Sequence, residues 1–192
     1  IPIFRNFFHP HLSLIHPHIF SFPIGPRDIF LDFFSNSSLK ISSSRTYPWA
    51  FMGTLWPSGS RKLAVSLFLR SLPHGYYFGG RSFGSGLPLN SYKSILHDSI
   101  FALAPEGDRH LDTFRLWESL CCGCIPLVVD FKDCSDHLLP LDFPIPIFPE
   151  WKEALKFAGS LLSHPSELNK LQSELSSWWK YYRDYVSSSM FQ

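Results

Sequence analysis

Residues 101–130, FALAPEGDRHLDTFRLWESLCCGCIPLVVD, decide the predicted fold because two apolar runs flank an amphipathic segment. The runs Phe101–Ala104 and Ile125–Val129 are typical of buried strands. Between them the sequence predicts a helix that begins after Asp112, as its N-cap, and ends near Cys122. Two buried strands joined by one helix form a parallel crossover, so this stretch predicts an α/β fold.

The predicted helix has an apolar side and a charged side. Arg115 and Glu118 are three residues apart, so their side chains lie close together on the charged side. The loop N–H groups near Gly107 and the helix N-terminus attract phosphate, so Arg115 could grip a phosphate oxygen and Glu118 could accept from ribose hydroxyls. An ordinary surface salt bridge has the same spacing, and spacing alone leaves both interpretations open. The apolar side, predicted to be buried, consists of Phe114, Trp117, Leu120 and Cys121.

Several residues of this stretch match a known pattern in type and spacing. They are Pro105, Gly107, Arg115, Glu118, Leu120, Gly123, Cys124, Ile125 and Pro126. With them the stretch resembles the C-terminal half of exostosin-like glycosyltransferases, family 47. Ser119 stands where that family often has Ala. The related ribitol xylosyltransferase-like proteins also look similar around Asp112.

The resemblance implies the C-terminal lobe of a GT-B glycosyltransferase, an α/β domain with a Rossmann-like parallel sheet and helices on both faces. Such a lobe binds a nucleotide-sugar donor, and the enzyme transfers a hexosyl or pentosyl group to a glycan or glycoprotein acceptor. The family inverts the anomeric configuration, and we expect the reaction to need no metal or cofactor. Four residues are expected to bind the donor: Arg61, Gly107, Arg115 and Glu118. For Arg61 the alternative is a solvated surface side chain.

The resemblance does not identify the general base that would activate the acceptor hydroxyl. The loop after Gly107 offers three weak catalytic candidates, which are Asp108, His110 and Asp112.

The cysteines do not have the two separated pairs that are typical of a zinc site. They are Cys121, Cys122, Cys124 and Cys134. We expect buried free thiols at the end of the helix, with a Cys124–Cys134 disulfide as the alternative.

The remaining chain is predicted to continue the alternation of strands and helices. Residues 1–34 resemble the end of the N-terminal lobe and the inter-lobe linker, residues 35–46 form an exposed Ser-rich loop, and residues 47–192 form the nucleotide-sugar-binding lobe. Further strands are predicted at Trp49–Gly53, Tyr76–Phe78 and Pro144–Phe148. Further helices are predicted at Ser58–Leu72, Ser91–Ser99, Trp151–Leu162 and Pro165–Val186.

The charge balance argues against a nucleic-acid partner, because the chain has 17 basic and 16 acidic residues without a long basic run.

The chain begins at Ile1 and shows no long apolar span, so we interpret it as a fragment that is inactive alone. A membrane association is expected only through a missing N-terminal anchor, as a type II protein of the Golgi or endoplasmic reticulum lumen. The alternatives are a non-catalytic carbohydrate- or partner-binding α/β module and a purely structural α/β domain.

Overall fold

A computed structural model of the chain describes residues 3–6, 16, 18–31, 39–57, 59–80, 82, 85–107, 111, 113–130 and 142–189. Its central feature is a four-stranded parallel sheet, and a pair of shorter parallel strands precedes that sheet in the chain. The strands are β1 (Ile3–Asn6), β2 (Ile19–Phe22), β3 (Tyr47–Thr54), β4 (Tyr76–Gly80), β5 (Ser99–Leu103) and β6 (Ile125–Leu127). Their order across the larger sheet is β4-β3-β5-β6.

The part of the chain that the structure describes contains five α-helices. They are α1 (Arg61–Ser71), α2 (Leu89–His97), α3 (Phe114–Cys121), α4 (Trp151–Leu162) and α5 (Pro165–Ser189). In the sheet, β4 lies on one side of β3 and β5 lies on the other, so the two crossovers run in opposite directions. Because both crossovers are right-handed, α1 and α2 lie on opposite faces of the sheet. Phe68 of α1 packs edge-on against Trp151 of α4, with ring centroids 6.4 Å apart. The predicted α/β Rossmann-like fold is confirmed.

The two central runs of the sequence are buried as predicted. Every residue of β5 and of β6 is buried, because these strands are covered on both faces. Trp49, Trp117 and Trp151 are among the largest fully buried side chains. The indole of Trp49 donates to the Leu72 carbonyl at 2.7 Å, and that of Trp151 donates to Ser60 Oγ at 2.8 Å. Each of these two indoles therefore keeps a hydrogen bond after burial.

The start of α3 differs from the prediction. Its N-cap is Thr113, so the prediction of Asp112 as the N-cap is wrong, and Asp112 itself lies outside the described residues. Phe114 was predicted to be buried, but it is 43% exposed because the first helical residue borders a pocket. The end of α3 is as predicted, since Gly123 follows it with a φ of +62°, in the left-handed region that favours glycine.

The long helix α5 packs its aromatic residues against α3. Trp117 is fully buried, and its ring lies 5.7 Å from that of Trp179 and 6.0 Å from that of Tyr182. The ring planes of Trp117 and Tyr182 differ by only 12°, so these two rings stack. The aromatic side chains of α5 thus form part of the core rather than an open platform at this contact.

The described part of the Ser-rich loop is largely exposed, but two of its residues are anchored to other segments. Within its described part, Ser42 and Arg45 are buried. The Ser42 N–H donates to Gln172 Oε1 of α5 at 2.7 Å. Arg45 donates to the carbonyl oxygens of Ser99 at 2.8 Å and Cys122 at 2.9 Å. Distant groups therefore anchor this loop at Ser42 and Arg45.

The predicted strand Pro144–Phe148 is also wrong as a continuous element. Only Phe148 pairs with the sheet, through a single parallel bridge to Val129. Pro144 and Pro146 have no backbone N–H and cannot donate to a ladder.

Among the described helices, none combines the length and the apolar character that crossing a bilayer requires.

Candidate functional site

A pocket of about 670 Å³ opens at the carboxyl edge of the larger sheet. Gly53 and Thr54 at the end of β3, Gly80 at the end of β4 and Gly107 after β5 all line it. At β3 the strand order changes direction, and open α/β sheets form ligand crevices outside the carboxyl ends of strands at such a point. The pocket therefore has the location of a ligand site in this class of fold.

All four residues predicted to bind a donor line this one pocket. They are Arg61, Gly107, Arg115 and Glu118. They come from the start of α1, the loop after β5 and the first turns of α3, so the fold unites separate parts of the sequence.

Arg115 is half-buried, and its guanidinium contacts the end of β3. Its Nη2 donates to the Met52 carbonyl at 3.1 Å, and its guanidinium lies 4.6 Å from the centroid of the Phe51 ring. Gly53 allows this approach, because a Cβ at that position would lie 2.5 Å from Nη2. The Nε of Arg115 is buried and has no hydrogen-bond partner within the part of the chain that the structure describes. The guanidinium is thus positioned by the protein and retains hydrogen-bonding capacity.

Glu118 is buried, with 1% of its surface exposed, and its ion pair is with Arg27. Arg27 Nε donates to Glu118 Oε1, and the Arg27 guanidinium lies 5.3 Å from the centroid of the Tyr92 ring. Burial first, and then the charge of Glu118, hold the pKa of Tyr92 well above its usual value, so the phenol keeps its proton. A surface salt bridge between Arg115 and Glu118, which the spacing allowed, is therefore wrong.

Arg61 is buried rather than solvated, so the surface alternative for this residue is wrong. Its Nη1 donates to the Thr54 carbonyl at 2.9 Å and its Nε donates to the Glu106 carbonyl at 3.1 Å. The guanidinium also lies 5.9 Å from the centroid of the Trp56 ring. Arg61 thereby ties the loop after β3 to the loop after β5 at the pocket wall.

The carboxylate of Glu106 balances the basic start of α1. Its two oxygens accept from the backbone N–H of Ser60 at 2.7 Å and from Ser60 Oγ at 2.6 Å. Ser60 is the N-cap of α1, so a side chain from a distant loop satisfies the start of this helix. Sequence reasoning missed this role, because no local spacing connects Glu106 with a helix that begins 45 residues earlier.

Three further pocket residues were not predicted. Arg27 arrives from the N-terminal segment, Trp56 follows β3, and Phe114 presents a half-exposed ring at the first position of α3. Tyr92, which falls within the predicted helix Ser91–Ser99, also lines the pocket. The only sequence signal for Phe114 was its position in the first turn of a predicted helix. The sequence contained no signal that placed Arg27 at the pocket.

The weak catalytic candidates Asp108, His110 and Asp112 lie outside the described residues. Within the described residues, no three His, Cys, Asp or Glu side chains are grouped as a metal site would require.

Three of the four thiols are described, and they are buried and free as predicted: Cys121, Cys122 and Cys124. Burial raises the pKa of Cys121 and of Cys124 to about 12. Cys134 lies outside the described residues, whereas its suggested disulfide partner Cys124 is a free thiol.

Fold and pocket together define an α/β Rossmann-like domain whose pocket, at the topological switch point, is lined in part by charged side chains. No family model matches the chain. The chain is 33% identical over 85 residues to Exostosin-1 from Drosophila melanogaster. The match covers 43% of this chain, which spans about a tenth of the length of that relative. It supports an exostosin-like relationship for the matched part.

Proposed function

We propose that this chain is the nucleotide-sugar-binding lobe of an exostosin-like glycosyltransferase of the GT-B type, family 47. One observation carries the proposal: four residues that the sequence pattern selects, from three separate segments, line a single pocket at the carboxyl edge of a parallel sheet. The similarity to Exostosin-1 over 85 residues supports it independently.

Arg115 is proposed to bind the donor diphosphate. Its guanidinium is a planar fork that can bridge two phosphate oxygens, and its buried Nε has no partner among the described residues. Arg61 adds a second positive charge at the wall, close to the Gly107 loop. These charges would stabilise the diphosphate as it leaves the sugar, a role for which no metal is required in the proposed reaction.

Glu118 is proposed to bind the ribose of the donor by accepting hydrogen bonds from its hydroxyl groups. A carboxylate repels phosphate but accepts hydrogen bonds from neutral hydroxyl groups. Glu118 follows Arg115 by one helical turn and lines the same pocket, so a ligand could reach both side chains. The proposal therefore divides the pocket into a phosphate end at Arg115 and a ribose end at Glu118.

The transfer step itself belongs to the longer enzyme. We propose inverting transfer of a hexosyl or pentosyl group to a glycan or glycoprotein acceptor, with a general base that Asp108, His110 or Asp112 could supply. The longer protein is proposed to be a type II membrane protein of the Golgi or endoplasmic reticulum lumen.

A non-catalytic carbohydrate- or partner-binding module is the second candidate. The half-exposed ring of Phe114 and the ring of Trp56 both line the pocket, and aromatic faces also suit sugars. Such a module would bind a sugar without depending on a diphosphate. Turnover of a nucleotide sugar by the longer protein separates the two candidates.

Calorimetric titration of the 192-residue chain with uridine and guanosine diphosphates, and with the bare nucleosides, tests the proposal. Arg115→Ala should weaken binding of the diphosphate by about 1.5–3 kcal/mol, the value of a charge-assisted hydrogen bond, and should leave nucleoside binding nearly unchanged. Glu118→Ala should weaken both ligands, because both contain the ribose. Arg115→Lys should not restore full affinity, since a point charge cannot reproduce the fork.

Arg70→Ala is the matched control, because it removes the same charge from an exposed position that does not line the pocket. If folded Arg115→Ala and Glu118→Ala both bind nucleotides as the wild type does, the donor-site proposal is wrong.

A further inference from the structure

Arg27 connects the N-terminal segment with the pocket. It pairs with Glu118, which is 91 residues away in the sequence, and its guanidinium lies 5.3 Å from the ring centroid of Tyr92 and 5.6 Å from that of Phe30. Phe30 is fully buried and meets Tyr92 edge-on with centroids 6.0 Å apart. Lys93 Nζ also donates to the Ile29 carbonyl at 2.8 Å. The segment around Arg27 is thus docked on α2 and α3.

The pairing has a consequence for the charge of the pocket. Its described lining contains three arginines and one glutamate, Arg27, Arg61, Arg115 and Glu118, for a formal charge of +2. Removal of Arg27 would halve that charge and leave the buried Glu118 carboxylate without its ion pair. An uncompensated carboxylate beside Arg115 would oppose any anion that enters the pocket.

We propose that Arg27 sets the charge of this pocket, by neutralising Glu118 so that a nucleoside diphosphate can bind beside Arg115. Arg27 is a positioning residue in this account, because it acts through Glu118 and also holds the carboxylate in one orientation. The inference rests on the proposed function and adds that ligand binding is coupled to docking of the N-terminal segment. By linkage, each event should favour the other.

A purely structural role for Arg27 makes different predictions. If the Arg27–Glu118 pair served only to anchor the N-terminal segment, then any variant that breaks the pair would weaken binding in the same way. If the pair sets the charge, binding follows the net charge of the pocket instead. The two roles can be separated because Gln has the shape of Glu without its charge.

Calorimetry with uridine and guanosine diphosphates on the full 192-residue chain provides the test. Arg27→Ala should weaken diphosphate binding by about tenfold or more, because truncation of one partner leaves the other charge buried and unpaired. In a Glu118→Gln background, which already lacks the carboxylate charge, Arg27→Ala should change diphosphate affinity by no more than about threefold, because the group through which Arg27 acts is absent. Arg27→Lys keeps the charge and should retain most of the affinity, whereas Arg70→Ala should have no effect.

Glu118→Gln alone is the reference for the double variant, because it removes the carboxylate that is proposed to bind the ribose. The comparison of these two variants keeps the test decisive if Arg27→Ala does not fold. Circular dichroism would establish that each variant used is folded.

Unchanged affinity in Arg27→Ala would overturn the inference while leaving the proposed function intact. A folded double variant that binds at least about tenfold more weakly than Glu118→Gln would do the same, because Arg27 would then act by a route other than the Glu118 charge. If the wild-type chain binds neither diphosphate, the proposed function fails and the inference falls with it.

Discussion

Gly53 lies directly against the guanidinium of Arg115, so Gly53→Ala would test how that side chain is held. A Cβ at position 53 would lie 2.5 Å from Arg115 Nη2, closer than non-bonded atoms approach in proteins. The φ of Gly53, +157°, is also one that residues with side chains rarely adopt. Because the end of a long side chain moves more easily than a strand, we expect the guanidinium to leave the Met52 carbonyl while β3 stays in place.

The expected magnitudes follow from the contacts that would be lost. The hydrogen bond from Arg115 to the Met52 carbonyl, 3.1 Å long, is charge-assisted and contributes about 1.5–3 kcal/mol. The contact with the Phe51 ring adds about 0.5–1 kcal/mol. Hydrogen bonds to water would replace part of the energy of these two contacts, while backbone strain adds a cost. The free energy of unfolding should therefore fall by about 1–3 kcal/mol. Affinity for a nucleoside diphosphate should fall about tenfold, because the displaced fork is no longer preorganised.

Urea denaturation would measure the stability and calorimetry the affinity. Gly159→Ala is the matched control, because nothing lies within 4 Å of a Cβ there and an added methyl in α4 should not destabilise the chain. In an Arg115→Ala background, Gly53→Ala should cause no further loss of affinity, since the group that it displaces is absent. Additive losses in the double variant, or wild-type affinity in Gly53→Ala, would refute this account of the pocket.

Three further predictions concern the rest of the domain. Trp117→Ala should lower the free energy of unfolding by about 3–5 kcal/mol in urea denaturation, because the ring is fully buried, and a loss below about 1 kcal/mol would contradict this. Burial raises the pKa of Cys121 and of Cys124 to about 12, so both thiols should resist a thiol reagent at pH 8 until urea unfolds the chain. Rapid labelling of the folded chain would contradict this, because it would show that the thiols are accessible. Glu106→Gln should cost about 0.5–2 kcal/mol of unfolding free energy, because it weakens the cap at Ser60, and an unchanged denaturation midpoint would exclude that role.

The sheet could be predicted from the sequence because burial and periodicity are local properties. The apolar runs around Phe101 and Ile125 became β5 and β6, and the alternation of runs and amphipathic segments predicted β3, β4 and the other four helices with small shifts at their ends. Gly123 ended α3 because a left-handed φ favours glycine. The location of the pocket followed from topology, since the carboxyl ends of parallel strands share one edge.

The interactions between distant segments could not be predicted. Nothing near Arg27 indicates that it pairs with a residue 91 positions away, and Glu106 caps a helix that precedes it in the chain. The anchoring of the Ser-rich loop could not be predicted for the same reason, because the Ser42 N–H donates to Gln172 of α5. Composition predicts how a segment would behave alone, whereas its burial depends on which partner the fold brings to it.

A crystal structure of the chain with a bound nucleoside diphosphate would test the central claim most directly. The account predicts that phosphate oxygens lie within hydrogen-bond distance of the Arg115 guanidinium and that the ribose lies beside Glu118, in the pocket at the end of β3. A nucleotide bound elsewhere on the domain, or one that approaches Arg115 with its base instead of its phosphates, would contradict it.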